Sequence, residues 1–276
     1  MNDTRPASPR VSVVMAARDS ASTVIEAAES VLQGELQDIE LLVVDDCSSD
    51  DTAQLVSDLA ARDARVILIK NAQNLGRAAS RNKAILHARS EYVAVADSDD
   101  ISLPSRLLEQ VTLMEASPEL VLLGSQVADF GSWGGPAQTL KYPTSDRDIR
   151  TRFERGHNAV PHQACIMRRE KLAEVGLYEP ALLRCQDLEL FRRLLTCGRV
   201  ENSESVLVHY RTENRTPGLG YFKSNARYRS AANYLYKRKS LGGRVVRIRL
   251  IAAEAVEIVR WLRSMIIRDR GVQELR

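Results

Sequence analysis

The sequence predicts an α/β fold whose first hundred residues form a doubly wound, parallel sheet. Short apolar runs at 11–16, 39–44, 65–69 and 92–96 alternate with amphipathic stretches of helical length. That is βα spacing; hairpins need far shorter connections. The runs are almost continuously apolar, as expected for strands covered on both faces. Two of them stop abruptly at carboxylates: Asp45 and Asp46 after the second, Asp97, Asp99 and Asp100 after the fourth.

Each element has a local reason. After the first strand, Ser22 or Thr23 caps a helix that runs to Leu32, and Gly34 ends it. Helices follow at 52–61 and 77–88, the second entered from a polar loop at 71–76. Pro104 opens a helix over 105–115. A strand is expected at 120–127, and glycines mark a loop at 130–136. The pattern then predicts a helix at 146–155, a strand at 162–168, helices at 170–175 and 187–196 ended by Gly176 and Gly198, and a last strand at 206–211. A polar loop runs to Gly220.

Composition limits the function classes. The chain has 276 residues, 44% hydrophobic and 27% charged, which suits one large domain or two modest ones. We expect a main domain at 1–220, with 1–9 a loose tail, and a helical extension at 221–276. No run of about 18 apolar residues suggests a membrane span. Four cysteines without CxxC pairing suit a reduced, cytoplasmic protein. The net charge of +3 is unevenly spread, because residues 221–276 alone hold 14 Lys/Arg against 4 Asp/Glu.

Two helices fill that basic extension, broken at Gly242-Gly243. On 244–268, Val245, Ile248, Ala252, Ala255, Val259, Leu262 and Ile266 share one face. This face is expected to pack on its own domain, on a second copy as a homodimer, or at the inner face of a membrane with Trp261 at the boundary. No nucleic-acid partner is expected, since aromatics do not interleave the basic residues.

A parallel sheet brings strand carboxyl ends to one edge, where open α/β sheets bind ligands. Asp97 and Asp99 lie two apart, so extended chain would aim both the same way and let them share a hard cation. The competing reading is a solvated turn in which Asp100 or Ser105 caps the next helix. Between the acid pairs, Asn74-Leu-Gly-Arg-Ala-Ala-Ser-Arg-Asn82 runs from loop into helix. Its start offers backbone N–H groups to an anion, and Arg77 and Arg81 add charge. Acids for a metal, a helix start and arginines describe a pocket for a nucleoside diphosphate.

Val43-Val-Asp-Asp-Cys-Ser-Ser-Asp50, Asn74-x-Gly-x4-Arg81-Asn82 and Asp97-Ser-Asp-Asp100 resemble the successive signatures of family 2 glycosyltransferases. Gly176-Leu-Tyr-Glu179 and Gln186-Asp-Leu-Glu-Leu-Phe-Arg192 resemble its later elements, and the likeness covers about residues 10–215. It implies a GT-A fold: a Rossmann-like, doubly wound mixed sheet, here with a C-terminal helical extension. It implies inverting transfer of a hexosyl or N-acetylhexosaminyl group from a nucleoside-diphosphate sugar, expected to be UDP-linked. The acceptor would be a hydroxyl of a glycan, lipid carrier or small molecule.

The resemblance also implies roles. Asp46 accepts from the uracil N3–H with Asp45 assisting, and Asp97 lies near the ribose. Ala16, Ala17, Arg18, Asn74, Gly76, Arg77, Arg81 and Ser98 complete the nucleotide site, although Ala16-Ala-Arg-Asp19 replaces the usual Pro-x-Tyr-Asn turn. Asp99 holds Mn²⁺ or Mg²⁺, with His209 as a late ligand. Asp187 is the general base, next to Gln186 where a Glu is usual. Arg211 and Arg215 reach the diphosphate from a closing loop, and His162 lines the acceptor cleft. Two other classes fit part of the pattern. A binding protein without turnover would result if Gln186 disables the base. A receiver-like phospho-accepting switch would be about half this length.

Overall fold

The computed structural model describes residues 9–130, 138–212, 225–226 and 228–233. It begins with β1 (Val11–Ala17), α1 (Val24–Leu32), β2 (Ile39–Asp45), α2 (Thr52–Arg62), β3 (Val66–Lys70), α3 (Arg77–His87) and β4 (Tyr92–Asp97). These strands pair in parallel in the order β3-β2-β1-β4, as the βα spacing predicts. Side chains alternate between two buried faces. Val14, Leu42, Val44, Val93 and Val95 join a core cluster that includes Ala84 and Ile85 of α3. Val13, Met15, Leu41, Val43 and Ala94 join the other, with Val24 of α1 and Val56 of α2. Burial on both faces explains why the strand sequences carry almost no polar residues.

Beyond β4 the sheet becomes mixed. There follow β5 (Ile101–Ser102), α4 (Arg106–Ala116), β6 (Leu120–Phe130), β7 (Gln138–Leu140), α5 (Asp146–Glu154), a 3₁₀ turn (His162–Ala164), β8 (Ile166–Arg168), α6 (Arg169–Val175), α7 (Gln186–Leu194) and β9 (Arg199–Arg211). The full order is β3-β2-β1-β4-β8-β6-β9-β5, with β7 paired to β6. β8 is antiparallel to β4 and β6, and β9 is parallel to β6.

Several expectations need correction. The strand expected at 162–168 begins as a 3₁₀ turn, because Ala164 N–H bonds to Pro161 O (3.1 Å) and only 166–168 extend. The last strand starts at Arg199, seven residues early; its polar stretch Glu201-Asn-Ser-Glu204 hid it, and bulges break its register with β6. β5 and β7 are too short to show a period. Neither proposed capping residue bonds through its side chain at α4: Ser105 makes no cap bond, and Asp100 accepts from Arg211 N–H (2.8 Å).

Residues 225–226 and 228–233 are helical. Ala226 and Ala232 are fully buried, Arg184 donates to Asn225, and Arg192 of α7 donates to Asn233. Residues 225–226 and 228–233 therefore pack against the body of the domain. The amphipathic stretch 244–268, the Gly242-Gly243 break, Arg215 and most of the amino-terminal tail lie outside the described residues. Among the described residues no helix is long and apolar enough to cross a membrane, and all four cysteines are free thiols.

Candidate active site

Strand register assembles the site. Ala17 of β1 sits opposite Asp45 of β2, and Ala16 sits opposite Asp97 of β4. The two acids flank β1 on one rim, two strand spacings or about 10 Å apart. The Ala16-Ala-Arg-Asp19 segment lies between them, with both alanines still in β1 and only Arg18 and Asp19 bending away. Asp19 at its end adopts a left-handed φ of 49° and accepts from Ser49 N–H (2.8 Å), which ties the β1 and β2 loops together. Ser98 Oγ lies 3.0 Å from Ser20 Oγ and ties in the β4 loop.

Asp46 is committed to the protein rather than to the cleft. Its carboxylate accepts from Asn71 Nδ2 (2.9 Å), Leu75 N–H (2.8 Å) and Gly76 N–H (2.8 Å). Burial pushes its pKa up, but these donors outweigh that and hold it below the ordinary range. Asp46 thus clamps the loop before α3. Gly76 takes φ +85° there, which a side chain would strain, and Asn74 Oδ1 accepts from its N–H (3.0 Å). Asp45 is buried too, yet its Oδ1 makes no hydrogen bond among the described residues. Of the two, Asp45 has the acceptor atom without a protein partner, and that atom is enclosed.

Extended geometry for Asp97–Asp99 does not hold either. β4 stops at Asp97, and Ser98 and Asp99 form a turn. Asp97 instead pairs with Arg81 of α3 (2.7 Å), whose side chain is only 2% exposed. Arg81 Nε and Nη1 are buried without partners among the described residues. Asp99 stands at the exposed mouth. Crowding by protein and by Asp97 raises its carboxyl group above the usual range, and Arg211 and Arg77 only partly offset this. Asp100 is buried, its Oδ2 unpartnered among the described residues, and burial plus Asp97 pushes it up to about 8. Two under-neutralised carboxyl groups side by side are a donor set that a hard divalent cation satisfies. No cluster of three or more His, Cys, Asp or Glu side chains forms a metal site among the described residues. A diphosphate would have to complete the coordination.

Arg211 does not lie in a loop over this mouth. It ends β9, where its N–H donates to Asp100 Oδ1, Nε to Asp99 O (2.8 Å) and Nη2 to Glu26 Oε2 (2.6 Å). Its guanidinium also covers the Phe130 ring at 4.7 Å. His209 sits opposite Ile101 in register, with its ring 5.9 Å from Phe130.

The residues expected to face the acceptor lie on α7 and in the segment before β8. Asp187 is the second residue of α7, after buried Gln186 and the left-handed Cys185 (φ 57°). Asp187 is therefore inside the helix rather than its N-cap. Its Oδ2 accepts from Asn158 Nδ2 (2.6 Å). His162 Nε2 lies 2.8 Å from Tyr178 Oη, and burial with Arg81 nearby drives its pKa down to about 4. Tyr178 is held by both ends of the Asn82 carboxamide, through its carbonyl (2.8 Å) and N–H (2.9 Å). Arg81 and Asn82, neighbours on α3, thus join the Asp97 turn to the Gly176-Leu-Tyr segment. Asn158, Asn71 and Tyr178 received no role from the sequence. The doublet Arg81-Asn82 and the Tyr of that segment were the available signals.

Residues 12–176 match the Glycosyl transferase family 2 model. A glycosyltransferase of Methanocaldococcus jannaschii is 32% identical over 224 residues, covering 80% of this chain and 77% of its own. Among solved structures, S. aureus TarS 1–349 in complex with UDP-GlcNAc aligns with a TM-score of 0.64 at 18% identity, over 81% of this chain and 66% of that one. The mannosyltransferase PcManGT from Pyrobaculum calidifontis, in complex with GDP-Man and Mn²⁺, aligns with a TM-score of 0.65 at 15% identity, over 99% and 82%. Both likenesses are of fold, and the fold is GT-A. With the family match over more than half its length, this chain belongs to glycosyl transferase family 2 and is a glycosyltransferase.

Proposed function

We propose that the rim between Asp45 and Asp97 binds a nucleoside-diphosphate sugar, UDP-linked in the first instance, and that the enzyme transfers its sugar with inversion. The observation that supports this most is the register placing both acids beside Ala16 and Ala17, with Asp99 under-neutralised at the mouth. Asp45, whose enclosed Oδ1 lacks a partner among the described residues, would turn that oxygen to a base-edge N–H, and Asp46 shapes the loop that the base rests on. Arg77 and the free N–H groups of the α3 start face the diphosphate. Asp99 would hold Mn²⁺ or Mg²⁺, with His209 of β9 as the late ligand that the family resemblance implies. When bound, that ion offsets charge on the leaving diphosphate.

Asp187 is the proposed general base. It takes the proton of the acceptor hydroxyl as that oxygen bonds to the anomeric carbon. The bond from that carbon to the diphosphate oxygen breaks, and its electron pair leaves with the nucleotide. Glycan, lipid-linked and small-molecule acceptors all present such a hydroxyl. A catalytic domain acting at the inner face of a membrane suits the basic extension, whose stretch 244–268, expected from its sequence to be amphipathic, would make the surface contact or pair with a second copy.

The test is thermal unfolding with UDP-glucose, UDP-GlcNAc, GDP-mannose and dTDP-glucose, with and without Mn²⁺. A donor at about 100 times its Kd adds about 2.7 kcal/mol, which for a domain of this size raises Tm by roughly 5–10 °C. The shift is expected to need Mn²⁺ and to disappear in Asp99→Asn. No shift with any donor contradicts the proposal.

A further inference from the structure

We infer that Asn158 is a positioning residue for Asp187, orienting its carboxylate so that one oxygen is held and the other is free to take a proton. The inference rests on the reading of Asp187 as general base. The orientation of the Asn158 carboxamide is settled by its partners. Oδ1 accepts from Val160 N–H (3.2 Å), and Nδ2 donates to Asp187 Oδ2 (2.6 Å). Flipping the amide would set oxygen against carboxylate and N–H against N–H. Among the described residues, Asp187 Oδ1 has no hydrogen-bond partner in the protein. The carboxamide N–H fixes the carboxylate plane through one oxygen and leaves the other unengaged by Asn158.

The segment that carries Asn158 is itself pinned from the sheet. Asn202 of β9 donates to Ala159 O (2.9 Å) and Pro143 O (2.6 Å), and Ala159 and Val160 are fully buried. Gly124 of β6 makes room for this. A Cβ there would overlap Asn202 Oδ1 and come within 2.7 Å of Val160 Cγ1. A glycine and an asparagine on the sheet thus set the place of Asn158, and Asn158 sets the carboxylate.

Two measurements decide it. The first needs no substrate. In the ligand-free protein, the ¹⁵N–¹H side-chain signals of Asn158 should move when Asp187 is replaced by Ala, which removes the acceptor; signals that stay in place would show the bond is absent and overturn the inference. The second is a double-mutant cycle. It uses the sugar nucleotide that most raises Tm, with Mn²⁺, and follows nucleoside diphosphate release with water as acceptor. Asn158→Ala should lower kcat by roughly 10–100-fold, leave the donor KM within about twofold, and change the residual rate of Asp187→Asn by less than about twofold. Gly124→Ala, remote from the carboxylate, should show the same dependence on background. A merely structural role would instead lower both backgrounds by the same factor, and that outcome, or an unchanged kcat, rejects the inference. Full activity of Asp187→Asn would reject the general-base reading instead, and the two failures are distinct.

Discussion

Replacing Asp187 by Asn should lower the transfer rate by about 10²–10⁴-fold, the usual contribution of a positioned general base. The change is isosteric. The new side-chain oxygen can still accept from Asn158 Nδ2, and α7 loses no helix contact, since Asp187 is the second residue of the helix rather than its cap. Stability and donor affinity should therefore be nearly unchanged. Donor-dependent thermal shifts and initial rates on the same preparations separate these effects. A variant that binds donor normally and turns over within about threefold of the parent would remove Asp187 from the reaction. Gln186, buried beside it where a Glu is usual, would then be the residue to examine.

The second large effect is on stability. Arg81→Leu should destabilise the domain by about 3–5 kcal/mol, because it leaves the Asp97 carboxylate without its cation. That is a large part of the 5–15 kcal/mol typical of a folded domain. The pair is short at 2.7 Å and the guanidinium is almost fully covered. The pH dependence gives a second readout. In the parent, burial raises Asp97, but Arg81 leads the terms that overcome it, so the group titrates below its ordinary value. Its contribution is present above about 3.8 and is lost as pH falls through the lower folded value. Without Arg81, burial governs and the sign reverses: stability is then greatest in acid and falls as pH rises. Urea unfolding at pH 5 and pH 8 should show the variant's deficit shrinking at the lower pH, and Asp97→Asn should rescue much of it. A deficit below about 1 kcal/mol, equal at both pH values, would mean the pair contributes little.

The early half of the fold was legible because its physics is local. Unbroken Val, Leu and Ile runs between helical stretches specify strands buried on both faces, and acids at their ends mark the rim. Beyond β4 the signals weaken for identifiable reasons. β5 has two residues and β7 three, too few for any period. β9 begins in a polar stretch that reads as loop. The identities of the rim acids were legible, but their partners were not. Asp45 and Asp46 are adjacent and alike in sequence, and only the fold of 71–76 decides that Asp46 is the one enclosed by donors. Asp97 looked like half of a metal pair because nothing local announces Arg81, sixteen residues away and one helix over. Asn158 reads as an ordinary loop asparagine until β6 and β9 are in place to hold its segment against α7.

The claim on which the account depends is that the β1–β2–β4 rim grips the donor through its diphosphate. The most direct measurement is a crystal structure with Mn²⁺ and the stabilising sugar nucleotide, using anomalous scattering to locate the ion. The account predicts one manganese peak in direct contact with the Asp99 carboxylate and the diphosphate, with the base beside Asp45 and the sugar facing Asp187. A nucleotide seated elsewhere, such as the depression of about 400 Å³ lined by Leu113, Thr144 and Glu201, or a manganese away from Asp99, would contradict it.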